Sequence, residues 1–185
     1  MFPPQGPGPR PPGGARLSPC GRREHLPVGG AALTCDAFHV SAPSPTGEYA
    51  TAAIRTAVQR AAVAPDDIDY VCAHGTSTKA NDRTETKALQ AAFGAATERI
   101  AVSSPKSITG HLIAGAGALS AMVCALAIRD GVVPPTINLD SPDPECDLNH
   151  VPNVARRLPV RTAMANAFGF GGQNCVVVFT APDPL

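Results

Sequence analysis

The chain has 185 residues, with 15 basic and 15 acidic side chains and a formal net charge of +0. This is enough for one domain with a real core, or for half of a larger one. The balanced charge argues against nucleic acid or an anionic membrane as partner, since either favours a basic field. Charged residues make up 16% and aromatics 4%, the former well below the roughly 25% of ordinary soluble domains. The interior must therefore be built from Ala, Val, Ile, Leu and Gly, in closely packed layers or against a partner.

Cys20, Cys35, Cys72, Cys124, Cys146 and Cys175 are scattered, with no CxxC pair and no zinc-ligand spacing to a histidine. Cys72 and Cys175 lie in apolar runs, where a thiol acts as a small core residue. The pattern predicts a reduced, cytoplasmic protein with no metal. The N-terminus has no apolar core of a secretory signal. The apolar stretch 112–128 is broken by glycines and Ser120 and is short for a membrane span, so it reads as a buried helix.

Residues 1–30 are dominated by Pro and Gly and carry arginines without apolar periodicity. Such a segment buries too little surface to offset its ordering entropy, and disorder is expected there, with a domain over 31–185. Ala32 to Val40 reads as a strand, and a Pro-containing loop leads to a helix over 48–63. Ile68 to Ala73 is a buried strand. Asn81 or Asp82 is placed to cap a helix running to Phe93, with Glu85 completing a capping-box pattern after Asp82. A short strand over 100–103 and a helix over 111–129 follow. After a proline-rich loop, strands over 162–166 and 175–180 flank FGFGG as a hairpin. Strands alternating with helices predict an α/β fold with a mixed, mostly parallel sheet, an antiparallel finish and helices on both faces.

Three segments sit where strands end and active-site groups project. His74-Gly75-Thr76-Ser77-Thr78 follows a buried strand, and its glycine permits a sharp turn. Lys106-Ser107-Ile108-Thr109-Gly110-His111 puts an ammonium and an imidazole beside an expected helix N-terminus, which disfavours imidazolium and suits a neutral histidine that donates a hydrogen bond. The bland alternative is a capped helix with solvent-facing Lys and His. Phe168-Gly169-Phe170-Gly171-Gly172 lacks the Lys-Ser/Thr of a phosphate loop and reads as a tight turn aiming N–H groups into a cleft. His25, His39 and His150 carry no chemistry in this reading.

In order, VCAHGTST, ND..ET, VSSPKSITGH, PPTINL and NAFGFGG resemble the condensing enzymes of fatty-acid and polyketide synthesis. The likeness is to the C-terminal half of the type II elongating β-ketoacyl-acyl-carrier-protein synthases of the thiolase superfamily, from Asp36-Ala37-Phe38-His39 to Phe179. The resemblance implies a thiolase-like fold and a decarboxylative Claisen condensation of an acyl thioester with malonyl-acyl carrier protein. It implies that His74 and His111 donate to the thioester oxygen, that Lys106 holds the electrostatics of the second histidine, and that Glu85 is a carboxylate buried near that lysine. It likewise assigns Thr76 and Thr78 to the phosphopantetheine arm, which acyl carrier protein delivers, and Phe170, with Phe168, to the gate over the acyl pocket. No bound cofactor is implied, and the intact enzyme is expected to be a dimer.

The family's nucleophilic cysteine belongs to a preceding half with no counterpart in this sequence, and no cysteine here is set up to replace it. This chain alone is expected not to form an acyl-enzyme, while weak decarboxylation of malonyl thioester stays open to it. The helix over 112–128 would lose half its surroundings, which predicts oligomerisation, a partner chain or poor solubility. Three other readings stay open: a non-catalytic fragment, a chain-length-determining partner subunit without the nucleophile, and a thiolase, whose second catalytic cysteine is replaced here by FGFGG.

Overall fold

The computed structural model describes residues 26–182; the expectation of disorder over 1–25 lies outside the described residues. In chain order the elements are β1 (Val28–Cys35), α1 (Glu48–Arg60), β2 (Tyr70–Cys72), α2 (Lys79–Phe93), β3 (Ala101–Ser103), α3 (Lys106–Thr109), α4 (Ala116–Asp130), β4 (Val132–Val133), β5 (Arg156–Arg157), β6 (Thr162–Gly169) and β7 (Gln173–Thr180). The main sheet has five strands in the order β1-β7-β6-β2-β3, and β4 and β5 form a separate ribbon. β2 runs parallel to β3 and β6, while β7 is antiparallel to β6 and β1. The sheet is mixed, with a more even balance than mostly parallel, because β1 folds in beside β7.

Alternation along the central strands sends side chains to two cores, which is why these strands are mostly apolar on both faces. Val71, Ala73, Met164, Val176 and Val178 face α1 and α2, joining Ile54 and Leu89. Tyr70, Cys72, Ala101, Ala163 and Ala165 face α4, joining Cys124 and Ala127. Ile54 and Leu89 are almost fully buried, each contributing roughly 1.5–3 kcal/mol of apolar burial.

Several boundaries differ from the sequence expectation, each for a local reason. β1 starts at Val28, ahead of the expected domain start at 31. It ends at Cys35, not Val40: Asp36 still donates its N–H to Gly172 O in the same register, and Ala37 then turns the chain away at φ 49°. α1 stops at Arg60, with Ala62 already at φ 54°. β6 and β7 are longer than expected and take Phe168 and Gly169 into the sheet. α2 begins at Lys79 with no side-chain cap. The expected capping box is not formed, since Glu85 turns inward to the backbone of His74 and Gly75.

α4 begins at Ala116, so His111 is not its first residue. Its inner stripe, Ala116, Ser120, Cys124 and Ala127, is buried, while Met122 and Leu126 are exposed, as are Leu112 and Ile113 just before it. The segment Ile113–Asp130 has a mean hydropathy of 1.5, yet only 22% of it is buried. The expected buried helix is thus buried on one side only, because no described residue covers the other. A helix apolar all round is the pattern of one enclosed on every side.

Candidate functional site

β2 ends at Cys72, and the chain then runs through Ala73 and His74 into a turn that only glycine fits. Gly75 has φ +42°, and a Cβ there would lie 2.6 Å from Ser104 Cβ. The Ser104 hydroxyl donates to Gly75 O at 2.9 Å, tying the β2 exit to the β3 exit. From the other side the Glu85 carboxylate accepts the backbone N–H groups of His74 and Gly75, each at 2.9 Å. The imidazole of His74 is therefore carried on a backbone held from two directions.

Three rings gather at this point. The His111 ring meets His74 edge to face with centroids 5.6 Å apart, and Phe168 lies 5.6 Å from His74 on the β6 exit. His74 is buried and its Nδ1 has no hydrogen-bond partner. Burial, with the charge of Lys106 and then His111 adding to it, pushes the His74 pKa down to about 3. His74 is neutral at any ordinary pH, with one ring nitrogen to donate and one to accept.

His111 is exposed and its orientation is set locally. Its Nδ1 accepts the Ile113 N–H at 3.0 Å, which places the ring proton on Nε2. This replaces the helix-terminus argument, because α4 starts only at Ala116. Ile113 adopts φ 50°, a backbone conformation that a β-branched residue rarely takes. Local strain is thus stored next to a ring it orients.

Lys106 opens α3 and is half-buried; burial lowers its pKa, opposed by Glu85. Glu85 is fully enclosed, and burial raises its pKa against the donors from Gly75, Asn166 and His74. No ion pair joins Glu85 to Lys106 among the described residues; the carboxylate is spent on His74, Gly75 and Asn166 instead. Asn166, which sequence reasoning missed, is fully buried on β6 and donates to Glu85 Oε1 at 2.9 Å. In the sequence it stands only as the first residue of NAFGFGG, with no local pattern to mark its contact.

Thr76 is half-buried and Thr78 exposed, with their hydroxyls 3.0 Å apart. They line a cleft of about 550 Å³ together with Glu85, Lys106 and Thr136. The rings of His74 and His111 are not part of that lining, so the cleft and the ring cluster are neighbours across the turn. Phe170 is 81% exposed at the tip of the β6–β7 turn. The expected N–H donors of that turn are partly committed, since Gly171 N–H bonds Val40 O at 2.8 Å. Gly172 has φ +78°, and a Cβ there would come within 2.7 Å of Asp36 Cβ. Buried Asp36 in turn accepts the Ser44 N–H and the Asn174 side chain, both at 2.7 Å. The turn that carries Phe170 is thereby locked to the loop after β1, a role the sequence did not suggest for Asp36.

Of the described cysteines, Cys124 is inside α4, Cys146 in a loop and Cys175 on β7. Burial raises the thiol pKa of Cys146 and Cys175, in line with the expectation that neither is activated, whereas hydrogen bonds from Cys124 and Ser120 hold the Cys72 thiol below its ordinary pKa against its burial. Its sulfur is nonetheless fully enclosed in the sheet–α4 core and touches no cleft.

Residues 27–140 match the family described as Beta-ketoacyl synthase, C-terminal domain. Over 150 residues the chain is 51% identical to 3-oxoacyl-acyl-carrier-protein synthase 2 of Synechocystis sp., covering 81% of this chain and 36% of that protein. It is 46% identical over 151 residues to the protein of the same description from Coxiella burnetii, covering 82% and 36%. Among solved structures, the fold superposes with a TM-score of 0.82 and 35% identity on a chain of a type II polyketide synthase acyl-carrier protein in complex with its ketosynthase, covering 84% of this chain and 38% of that one. The ishigamide ketosynthase/chain length factor gives a TM-score of 0.81 at 39% identity, covering 85% and 38%. The chain thus spans little more than a third of the length of these relatives.

Proposed function

The chain belongs to the β-ketoacyl synthase family through its C-terminal domain, and from that premise we propose that it supplies the paired-histidine part of a decarboxylative Claisen condensation in fatty-acid or polyketide synthesis. The observation that carries this reading is the edge-to-face pair of His74 and His111 beside Phe168. When a malonyl thioester loses carbon dioxide, its C–C bond electrons pass into an enolate and negative charge gathers on the thioester oxygen. Two imidazole N–H groups aimed at that oxygen stabilise the charge as it develops. Burial, with the charge of Lys106 adding to it, keeps His74 neutral, and Glu85 holds the backbone beneath it.

Acyl carrier protein is the proposed partner, as in the related complex described above. Its phosphopantetheine arm would run past the Thr76 and Thr78 hydroxyls toward the rings, with Phe170 as an exposed apolar gate. We assign the nucleophilic thiol and most of the acyl pocket to protein outside these residues, which pack on the open face of α4. A chain-length-factor role is disfavoured by the retention of both histidines and Lys106 in working geometry.

The test is release of carbon dioxide from malonyl-acyl carrier protein by this chain and by His111→Ala. A measurable rate that falls on the order of 10²-fold in the variant is expected. Equal rates in the two proteins would overturn the assignment.

A further inference from the structure

We infer that Asn166 is a positioning residue, whose side-chain amide fixes the Glu85 carboxylate and, through it, the backbone turn that presents His74. The inference rests on the paired-histidine reading above, and concerns how one of those rings is held.

Asn166 lies on β6 on the sheet face that α2 covers, and is 0% exposed. A primary amide in such a place is costly unless each polar group is matched. Only one is: Nδ2 donates to Glu85 Oε1, while Oδ1 has no partner among the described residues. The amide therefore sits there for a single bond. That bond shares its acceptor with the His74 N–H, since both reach Glu85 Oε1 at 2.9 Å, and the Gly75 N–H takes Oε2. With one oxygen held by Asn166 and His74 and the other by Gly75, the carboxylate cannot rotate about its own axis.

No other group replaces this donor. Asn81 reaches Oε2, the opposite oxygen, only at 3.5 Å. The charged and titratable groups facing Glu85 are Lys106 from α3, Asp82 from its own helix and His74 itself. Lys106 acts on it through space, without an ion pair among the described residues. Removing Asn166 leaves Oε1 held by the His74 N–H alone, and the turn then depends on a carboxylate free to tilt.

Hydrogen exchange read by mass spectrometry on the whole chain tests this without requiring turnover, so its failure is separable from failure of the proposed activity. In Asn166→Ala, peptides spanning 73–76 are expected to exchange at least about tenfold faster, while α1 peptides stay at the wild-type level. Asn166→Asp keeps the shape but sets a carboxylate against Glu85, so that the pair repels when both are ionised and closes when one proton is shared between them. At about pH 8 this variant should lose protection at His74 and Gly75, and at about pH 5, once the shared proton is bound, it should regain it relative to α1. A residue that merely fills space would show no such recovery. Wild-type exchange at 73–76 in the alanine variant, or equal loss in α1 peptides, would overturn the inference. Should the alanine variant fail to fold, absence of recovery in Asn166→Asp at the lower pH overturns it as well.

Discussion

The imidazoles of His74 and His111 meet edge to face at 79° with 5.6 Å between centroids, although one leaves β2 and the other lies beyond α3. What brings them together is the parallel pairing of β2 with β3, which puts both strand exits at the same edge of the sheet. The two rings are held in different ways. His74 is enclosed and stands near Lys106, whereas His111 has its Nδ1 lone pair taken by a backbone N–H.

Enclosure of His74 makes stability depend on pH. The unfolded histidine titrates at its ordinary 6.5 and the folded one at about 3. Between those values the unfolded chain binds a proton that the folded chain refuses. The contribution of His74 is complete above the ordinary value and is lost as pH falls toward the folded one, by up to ~5 kcal/mol. Urea unfolding at a series of pH values should show this slope, and His74→Ala should flatten it.

The lock on the Phe170 turn depends on a buried carboxylate. Asp36→Ala leaves the Ser44 N–H without its acceptor and the Asn174 amide with only the longer bond to Gly172 O, a loss of roughly 1–3 kcal/mol for buried donors of this kind. Gly172→Ala attacks the same contact from the opposite side, by forcing a Cβ into Asp36. Both variants should unfold at lower urea than wild type, and limited proteolysis should cut first within 168–173.

Strain at Ile113 predicts an unusual outcome for a large-to-small change. The side chain is 76% exposed and its φ is positive, so Ile113→Gly loses little burial and relieves a conformation costing about 1–2 kcal/mol. The midpoint of urea unfolding should hold or rise. Decarboxylation should fall, because the N–H that orients His111 becomes mobile.

The open side of α4 predicts self-association. Met122 and Leu126 are one helical turn apart on the uncovered face, and patches of this kind mark interfaces in soluble proteins. Sedimentation velocity of the wild-type chain should show species larger than a monomer. Met122→Lys with Leu126→Glu should shift the distribution toward monomer, and a monodisperse wild-type monomer would contradict the prediction.

The element order and the three strand-exit segments were legible because each combines a strong local signal with an element end: the buried strand before His74, the glycine after it, the FGFGG run. Boundaries were harder to read wherever a distant residue decided them. β1 turns away just after Asp36, which is tied to Gly172 and Asn174, far along the chain. Glu85 has the spacing of a helix cap, but burial against His74 and Gly75 offers two fully enclosed N–H groups, and these take the carboxylate. His111 sits before an apolar helical run, yet the run is helical only from Ala116 because Gly110 and Ile113 both take positive φ. Asn166 and Asp36 were missed because their meaning is a tertiary contact that no local pattern encodes.

The measurement that bears most directly on the paired histidines is a double-mutant cycle on carbon dioxide release from malonyl-acyl carrier protein, using His74→Ala, His111→Ala and both together. If the two rings serve one oxygen, each single change costs about 10²–10³-fold, and the double change costs little beyond the worse of the two. Losses that simply multiply, or a single variant with the wild-type rate, would contradict a shared oxygen and with it the role given to the pair.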